Sequence, residues 1–393
     1  MMMQTILPHH YSFHPNVYIA PYITTPIVID GNIEKKEWNP IPFSSPFDDI
    51  RGAKDAPPNE RPSDACQTRF KMMYDDTYLY IAARIESDME VVATYTERNA
   101  PIYHMDSDFE VFVDPDSSCH YYKELEINAL NTVWNLMLDK PYMDGGHEHS
   151  GRIAKKGEKN HDYYDVEHQQ SATLLVMGEL NQPGCNKVVW DVEIALAHSD
   201  TLKYQHRHLD VPKVGDLWRI NFSRVERKGD INWTWQPQCV WKAENHTYGG
   251  QVNMHLPDAW GYVRFGPPLS ETKGIGTAST AAAGQVPKER IVEQGDPFWP
   301  LRWTVMNIYY AQRYYYDKHG VYATDMNQLN DLVDKDTLDP FRENMSLKAS
   351  KDCYTIQMFD DHHRYISLNH TRYMKVWKEE EESNRVNVLN DII

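Results

Sequence analysis

Cysteine is scarce and poorly placed for chemistry: five residues, Cys66, Cys119, Cys185, Cys239 and Cys353, lie scattered over 393 positions. No CxxC pair, CxxCH or Cys/His cluster occurs, which excludes a zinc finger and covalent c-type haem attachment. An odd number cannot pair completely, so free thiols are the expectation. Catalytic signatures are missing too: there is no Walker loop, no nucleophile elbow and no zinc-protease helix. No apolar run approaches the roughly 18 residues of a membrane helix, so no membrane span is expected. The opening MMMQTILPHHYSFHP has no basic stretch followed by an apolar one, so no secretion signal is visible. Basic residues are in deficit, 40 against 57 acidic, and the net charge of −17 repels phosphate backbones. Nucleic acid is therefore not an expected partner. A neutral polysaccharide would meet no such barrier.

Aromatics are plentiful, with 25 Tyr, 11 Trp and 11 Phe. Such residues suit β-sandwich cores and sugar-binding surfaces alike. From Pro26 to Phe265 the chain reads as strands between turns and polar loops. PIVIDGNIEKKEW predicts a short strand, an Asp30-Gly31 turn and a segment ending in Trp38. TRFKMMYDDTYLYIAARIES predicts a hairpin about Asp75-Asp76. In SDFEVFVDPD, Phe109, Val111 and Val113 alternate with Glu110, Phe112 and Asp114, the period of a strand. YKELEINALNTVWNLMLDKPY predicts a strand pair, and SATLLVMGEL, KVVWDVEIAL, DLWRINFSRVER and WGYVRF predict further strands. So many strands without alternating long helices predict an antiparallel β-sandwich.

Residues 1–25 read as an N-terminal extension, 26–266 as the sandwich and 267–290 as a Gly/Ala/Ser/Thr-rich linker. Residues 291–393 read as a small α+β region with an acidic tail. There Leu301, Val305, Ile308 and Gln312 have helical spacing, Gly320 is suited to end the helix, and a second helix is expected over Met326–Val333. CYTIQMF, RYISLNH and RYMKVW predict short antiparallel strands.

The phrases IDGNIEKKEW, YDDTYLYIAARIES, DSDFEVFVDPD, YYKELEINALNTVWNL, WRINFSRVER, NWTWQPQ and VNMHLPDAWGYVRF, in this order, resemble the family 9 carbohydrate-binding modules and the wider DOMON-like sandwich group. The resemblance implies a sandwich that binds an oligo- or polysaccharide without cutting it, as an accessory to carbohydrate breakdown. It also implies an extracellular setting, whereas the sequence as given points to the cytoplasm. By the family pattern the binding carboxylate is Glu110 and the polar residue on the next strand is Asn128. The family's two clamping tryptophans match the stretches Ile102-Tyr103-His104 and Asn253-Met254-His255, which contain no Trp. Tyr103, His104, Asn253 and His255 are the candidates there.

Glu126 shares a strand face with Asn128, and Arg224 is a candidate partner for Glu110 or Glu126. Trp235 completes the set of candidate sugar contacts, although a Trp pair two residues apart also suits a core. An ordinary imidazole titrates near pH 6.5, so contact through His255 would make affinity vary between about pH 5 and 8. No cofactor is required; Asp106, Asp108, Asp114 and Asp116 are candidate ligands for a structural calcium ion. His147-Glu148-His149 lacks helical metal spacing and reads as a solvated loop.

Two other function classes compete. A glycoside hydrolase would need two carboxylates at a set separation, and many are available. A haem-binding electron-transfer domain would need axial ligands, for which His104, Met105, Met254 and His255 are candidates.

Overall fold

The computed structural model describes residues 9–158, 162–271 and 285–379. The first eight residues, most of the expected linker and the acidic tail lie outside them. In chain order the strands are β1 (Val17–Tyr22), β2 (Asp48–Asp49), β3 (Thr68–Tyr74), β4 (Tyr78–Ser87), β5 (Asp108–Asp114), β6 (Tyr122–Asn128), β7 (Val133–Leu138) and β8 (Glu148–His149). There follow β9 (Gln170–Met177), β10 (Val188–Ala197), β11 (Leu217–Glu226), β12 (Ile231–Thr234), β13 (Cys239–Lys242), β14 (Thr247–Gly250) and β15 (Gly261–Pro268). Hydrogen bonds join them in the order β8-β7-β6-β5-β11-β15-β1-β3-β4-β10-β9, with β12 and β2 branching from β11 and β13–β14 forming a separate hairpin.

The long path folds upon itself into a sandwich. Phe109, Val111, Ile127 and Phe222 from one half meet Phe70, Ile81, Val192 and Ile194 from the other in a single buried core. The contact is direct: the rings of Phe70 and Phe222 have centroids 4.0 Å apart. Each such side chain, fully buried, contributes roughly 1.5–3 kcal/mol.

Two segments differ from the sequence expectation. β1, placed in an extension by sequence, pairs in parallel with both β15 and β3 and joins the two halves. Its register shifts between Ala20 and Tyr22, which lets Pro21 sit inside a strand without breaking the ladder. The sandwich is thus not purely antiparallel. PIVID forms no strand. The Asp30 and Gly31 amides instead donate to Glu193 of β10 at 2.9 and 2.8 Å, and Trp38 Nε1 donates to its other oxygen at 2.6 Å. Gly31 has φ +84° and packs on the backbone of Thr173, so a side chain there would be strained and crowded.

After the sandwich, a helix spans Trp299–His319 and ends on Gly320 at φ 68°. Leu301, Val305, Ile308 and Gln312 are all buried, as their spacing predicts. The second expected helix shortens to a 3-10 turn, Met326–Leu329, opened by an Asp325–Gln328 capping box. The strands Met345–Ala349, Tyr354–Phe359, Arg364–Asn369 and Met374–Lys378 form an antiparallel sheet, against which the helix packs. This unit is docked on the sandwich. Arg302 donates to Ser117 O at 2.8 Å and pairs with Asp296, while Met374 N donates to Ser118 O at 3.0 Å.

Candidate functional site

β5, β6, β7 and β11 send alternate side chains away from the core, and their register fixes which of them meet. Glu110 lies opposite Glu126 on one side and Ser223 on the other. Phe112 lies opposite Glu124, and Glu126 lies opposite Trp134. Above this face is a cavity of about 350 Å³. Glu110, Glu124, Glu126 and Trp134 form its floor, and Tyr103, Tyr142, Arg152, Asn253 and His255 reach in from loops. Tyr103 and Tyr142 stay 36% and 46% exposed, so both offer a ring face to the opening. Arg152 pairs with Glu148 and lies 5.2 Å over the Trp134 ring.

The floor is lined with buried carboxyls. Burial pushes Glu110 up to about 7, the Ser223 hydroxyl offsetting part of this. Burial and the charge of Glu110 push Glu124 up to about 8. Asp108 and Glu126 are raised well above the usual carboxylate range, by burial and then by Glu110. Glu124 and Glu126 share a hydrogen bond with each other, while Asp108 Oδ2 and the indole N–H of Trp134 have no partner in the protein. Buried polar groups are ordinarily satisfied, and leaving one unmet costs about 1–3 kcal/mol. A face carrying both an orphan acceptor and an orphan donor is built to meet a polar ligand.

His255 shares a 3.0 Å hydrogen bond with the Tyr122 hydroxyl and packs edge-on to Tyr142. Burial lowers its pKa to about 4. Burial thus disfavours the imidazolium. A carboxyl with a raised folded pKa holds extra protons in the folded state. Its stabilising contribution is complete below the unfolded value near 4.5 and is lost as pH rises through the folded value. His14, His120 and His255, each held near 4, act the other way below about pH 6.5. Glu124→Gln isolates the acid. Its melting temperature minus that of wild type is expected to grow steadily from pH 5 to 8.5; a constant difference would mean that Glu124 is ionised throughout.

Five of the nine sequence candidates line the cavity: Tyr103, Glu110, Glu126, Asn253 and His255. Four do not. His104 is exposed beside Tyr103. Asn128 faces the right way but is consumed by structure: its amide donates to Tyr95 O and Asp106, and its oxygen accepts from Leu130 and Thr132 amides. Arg224 belongs to the opposite face, in phase with Phe222, and pairs with Glu226 at 2.7 Å rather than with Glu110 or Glu126. Trp235 is buried against Phe70 in the core.

The four candidate metal ligands do not assemble either. Asp106 accepts the Thr94 and Tyr95 amides, and Asp114 accepts the Cys119 amide. Asp116 accepts from Ser118 and Arg207 amides. Asp108 instead joins Glu110 and Glu126, the one group of three ligand-type side chains brought together among the described residues.

Residues the sequence reading missed are Glu124, in phase with Glu126, and Trp134, Tyr142 and Arg152. Glu148, read as part of a solvated loop, is buried at the cavity wall.

Fold and cleft together define a class, a β-sandwich with an aromatic-rimmed cleft of buried carboxyls on one face. Residues 29–193 match the family described as carbohydrate family 9 binding domain-like. Among solved structures, a proposed carbohydrate-binding protein from Bacteroides uniformis is similar over 64% of this chain and 99% of its own, at 14% identity and TM-score 0.43. A family 9 carbohydrate-binding module from Caldicellulosiruptor kristjanssonii in complex with cellotriose is similar over 64% of this chain and 94% of its own, at 15% identity and TM-score 0.37. No curated protein matches the sequence.

Proposed function

We propose that the protein is a non-catalytic carbohydrate-binding protein whose cleft takes an end of an oligo- or polysaccharide. The observation that carries this reading is the juxtaposition of the buried Glu110, Glu124 and Glu126 carboxyls with the unpaired Trp134 indole N–H, beneath two half-exposed tyrosines. A sugar ring presents hydroxyls that both donate and accept, and apolar C–H faces that pack on aromatic rings. Its chemistry matches these groups in kind. Hydrolysis is less well served. A glycosidase needs one ionised carboxylate and one protonated partner. No separation of two such carboxyls across a bound glycosidic bond is set by the cleft's ladder, where Glu110 and Glu126 are direct neighbours.

A glycan array with the full chain identifies the sugar, and glucose and cellotriose form the first panel for calorimetry. Trp134→Phe keeps an aromatic ring while removing the N–H donor and part of the ring area, so it is expected to weaken binding by at least roughly threefold to tenfold, the value of one neutral hydrogen bond. Unchanged affinity in Trp134→Phe would place the sugar elsewhere. Release of nitrophenol from aryl glycosides would establish hydrolysis instead.

A further inference from the structure

We propose that a second cavity, built by the C-terminal unit beside the cleft, takes further units of the same sugar chain. The protein would then hold a chain rather than a single ring. This rests on the sugar reading of the first cavity and adds a subsite to it. The second cavity measures about 490 Å³ against about 350 Å³ for the first. Both fall in the size range of small-ligand sites.

Position is the first argument. Asn253 lines both cavities. Around it Val252 and His255 face the first, while Gln251 and Leu256 face the second. The 3-10 turn Tyr142–Asp144 divides in the same way, with Tyr142 on the first cavity and Met143 on the second. The two cavities therefore lie a single residue apart along two separate segments.

The way the second cavity is built is another argument. The β13–β14 hairpin stands apart from the sandwich sheet, and the C-terminal unit holds it in place. Trp241 Nε1 donates to Leu332 O at 2.7 Å, and the Tyr248 hydroxyl donates to Asp334 at 2.7 Å. The helix Trp299–His319 spends Leu301, Val305 and Ile308 on its own core. Tyr310, Arg313, Tyr314 and Asp317, at i, i+3, i+4 and i+7, share another face, and that face lines the cavity. Tyr310 donates to Asp258 and packs on the core, so structure accounts for it. Tyr314 is different: it joins no buried cluster, and its hydroxyl has no hydrogen-bond partner among the described residues.

The chemistry matches as well. Trp241, Tyr310 and Tyr314 supply aromatic surface. Lys242, Gln251 and Lys318 can donate, and Glu244 and Asp317 can accept. None of these five side chains forms a hydrogen bond or an ion pair among the described residues. A sugar unit, with hydroxyls that donate and accept and an apolar face, uses all three kinds of group. Of this lining only Met143 falls within residues 29–193, which match the family, so the subsite belongs to what this chain adds.

Calorimetry on the full chain compares glucose with cellotriose, or the monomer and trimer of whichever sugar the array selects. The trimer is expected to bind about tenfold or more tighter than the monomer, from added hydrogen bonds and aromatic contact. Tyr314→Ala should weaken the trimer by roughly threefold to tenfold, the worth of one aromatic contact, and leave the monomer in the first cavity unaffected. Gln251→Ala, on the hairpin side, should weaken the trimer by roughly threefold and serves if the helix variant misfolds. Tyr316→Ala, on the same helix but outside both cavities, should change neither. Equal affinity for monomer and trimer, trimer affinity that survives Tyr314→Ala and Gln251→Ala, or equal weakening of both sugars overturns the inference while the first cavity's sugar site stands. A wild-type protein that binds neither sugar overturns both readings.

Discussion

Arg372→Ala is expected to lower the unfolding free energy of the chain by about 3–5 kcal/mol, the usual cost of removing one partner from a buried ion pair. The side chain is fully buried in the turn between strands Arg364–Asn369 and Met374–Lys378. Its guanidinium pairs with Asp258 at 2.8 Å and Asp144 at 3.1 Å, both from the sandwich, and lies 4.6 Å over the Tyr309 ring. Arg313 also reaches Asp144, at 2.9 Å, and Tyr310 donates to Asp258 at 2.9 Å. Those contacts do not replace the lost charge at Asp258. Two carboxylates in a dry junction would have to be protonated or hydrated, and either course separates the C-terminal unit from the sandwich.

The effect should reach the cleft. Asp144 is two residues beyond Tyr142, and Asp258 three beyond His255, so Arg372 braces both cavity-bearing loops from behind. Urea denaturation of Arg372→Ala and of the Arg372→Met, Asp144→Asn, Asp258→Asn triple variant checks this. The triple should recover most of the loss, since it removes the charges together. A single-variant loss under about 1 kcal/mol would mean a solvated junction in which the pairs carry little.

Glu193→Ala has a comparable expected cost, again about 3–5 kcal/mol. This fully buried carboxylate gathers Trp38 Nε1, the Asp30 and Gly31 amides and Lys35 Nζ at 2.8 Å. Its loss strands an indole N–H, two amides and an ammonium beneath the loop that covers the outer face of β4 and β10. Glu193→Gln retains one acceptor but turns an amide NH₂ towards donors, so it should recover only part of the loss. Chemical denaturation ranks the three proteins, and equal stability of Glu193→Ala and wild type would show that the loop is held by Trp38 packing alone.

These two residues also show where sequence reasoning reached and where it stopped. Period-two alternation exposed most of the strands, because a strand with one face in the core must alternate. It missed β1, whose parallel partners lie about 50 and 245 residues away with no local turn to betray them. The IDGNIEKKEW phrase was legible as a signature, but its physical meaning needed Glu193, more than 150 residues distant. Glu110 was legible from the family resemblance, and phase then put Glu126 on one face with Asn128. The same phase argues against Arg224, which alternates with Phe222 on the core side. The only polar residue of β7, Asn135, lies on the face opposite Trp134, so nothing marked Trp134 as the cleft's donor. Tyr142 and Arg152 sit on loops, where no periodicity points inward. Asn128 had the right phase and the wrong partners, which only the turn geometry reveals.

Sugar affinity of Glu110→Ala against His104→Ala tests the central claim most directly. Both residues come from the stretch that resembles the family, but only Glu110 lines the cavity. Calorimetry with the sugar identified on the array should show Glu110→Ala binding about tenfold or more weaker than wild type, the loss of a charged hydrogen bond worth about 1.5–3 kcal/mol. His104→Ala should bind like wild type. Equal affinities for wild type and Glu110→Ala, or a wild-type protein that binds no sugar, would contradict the account.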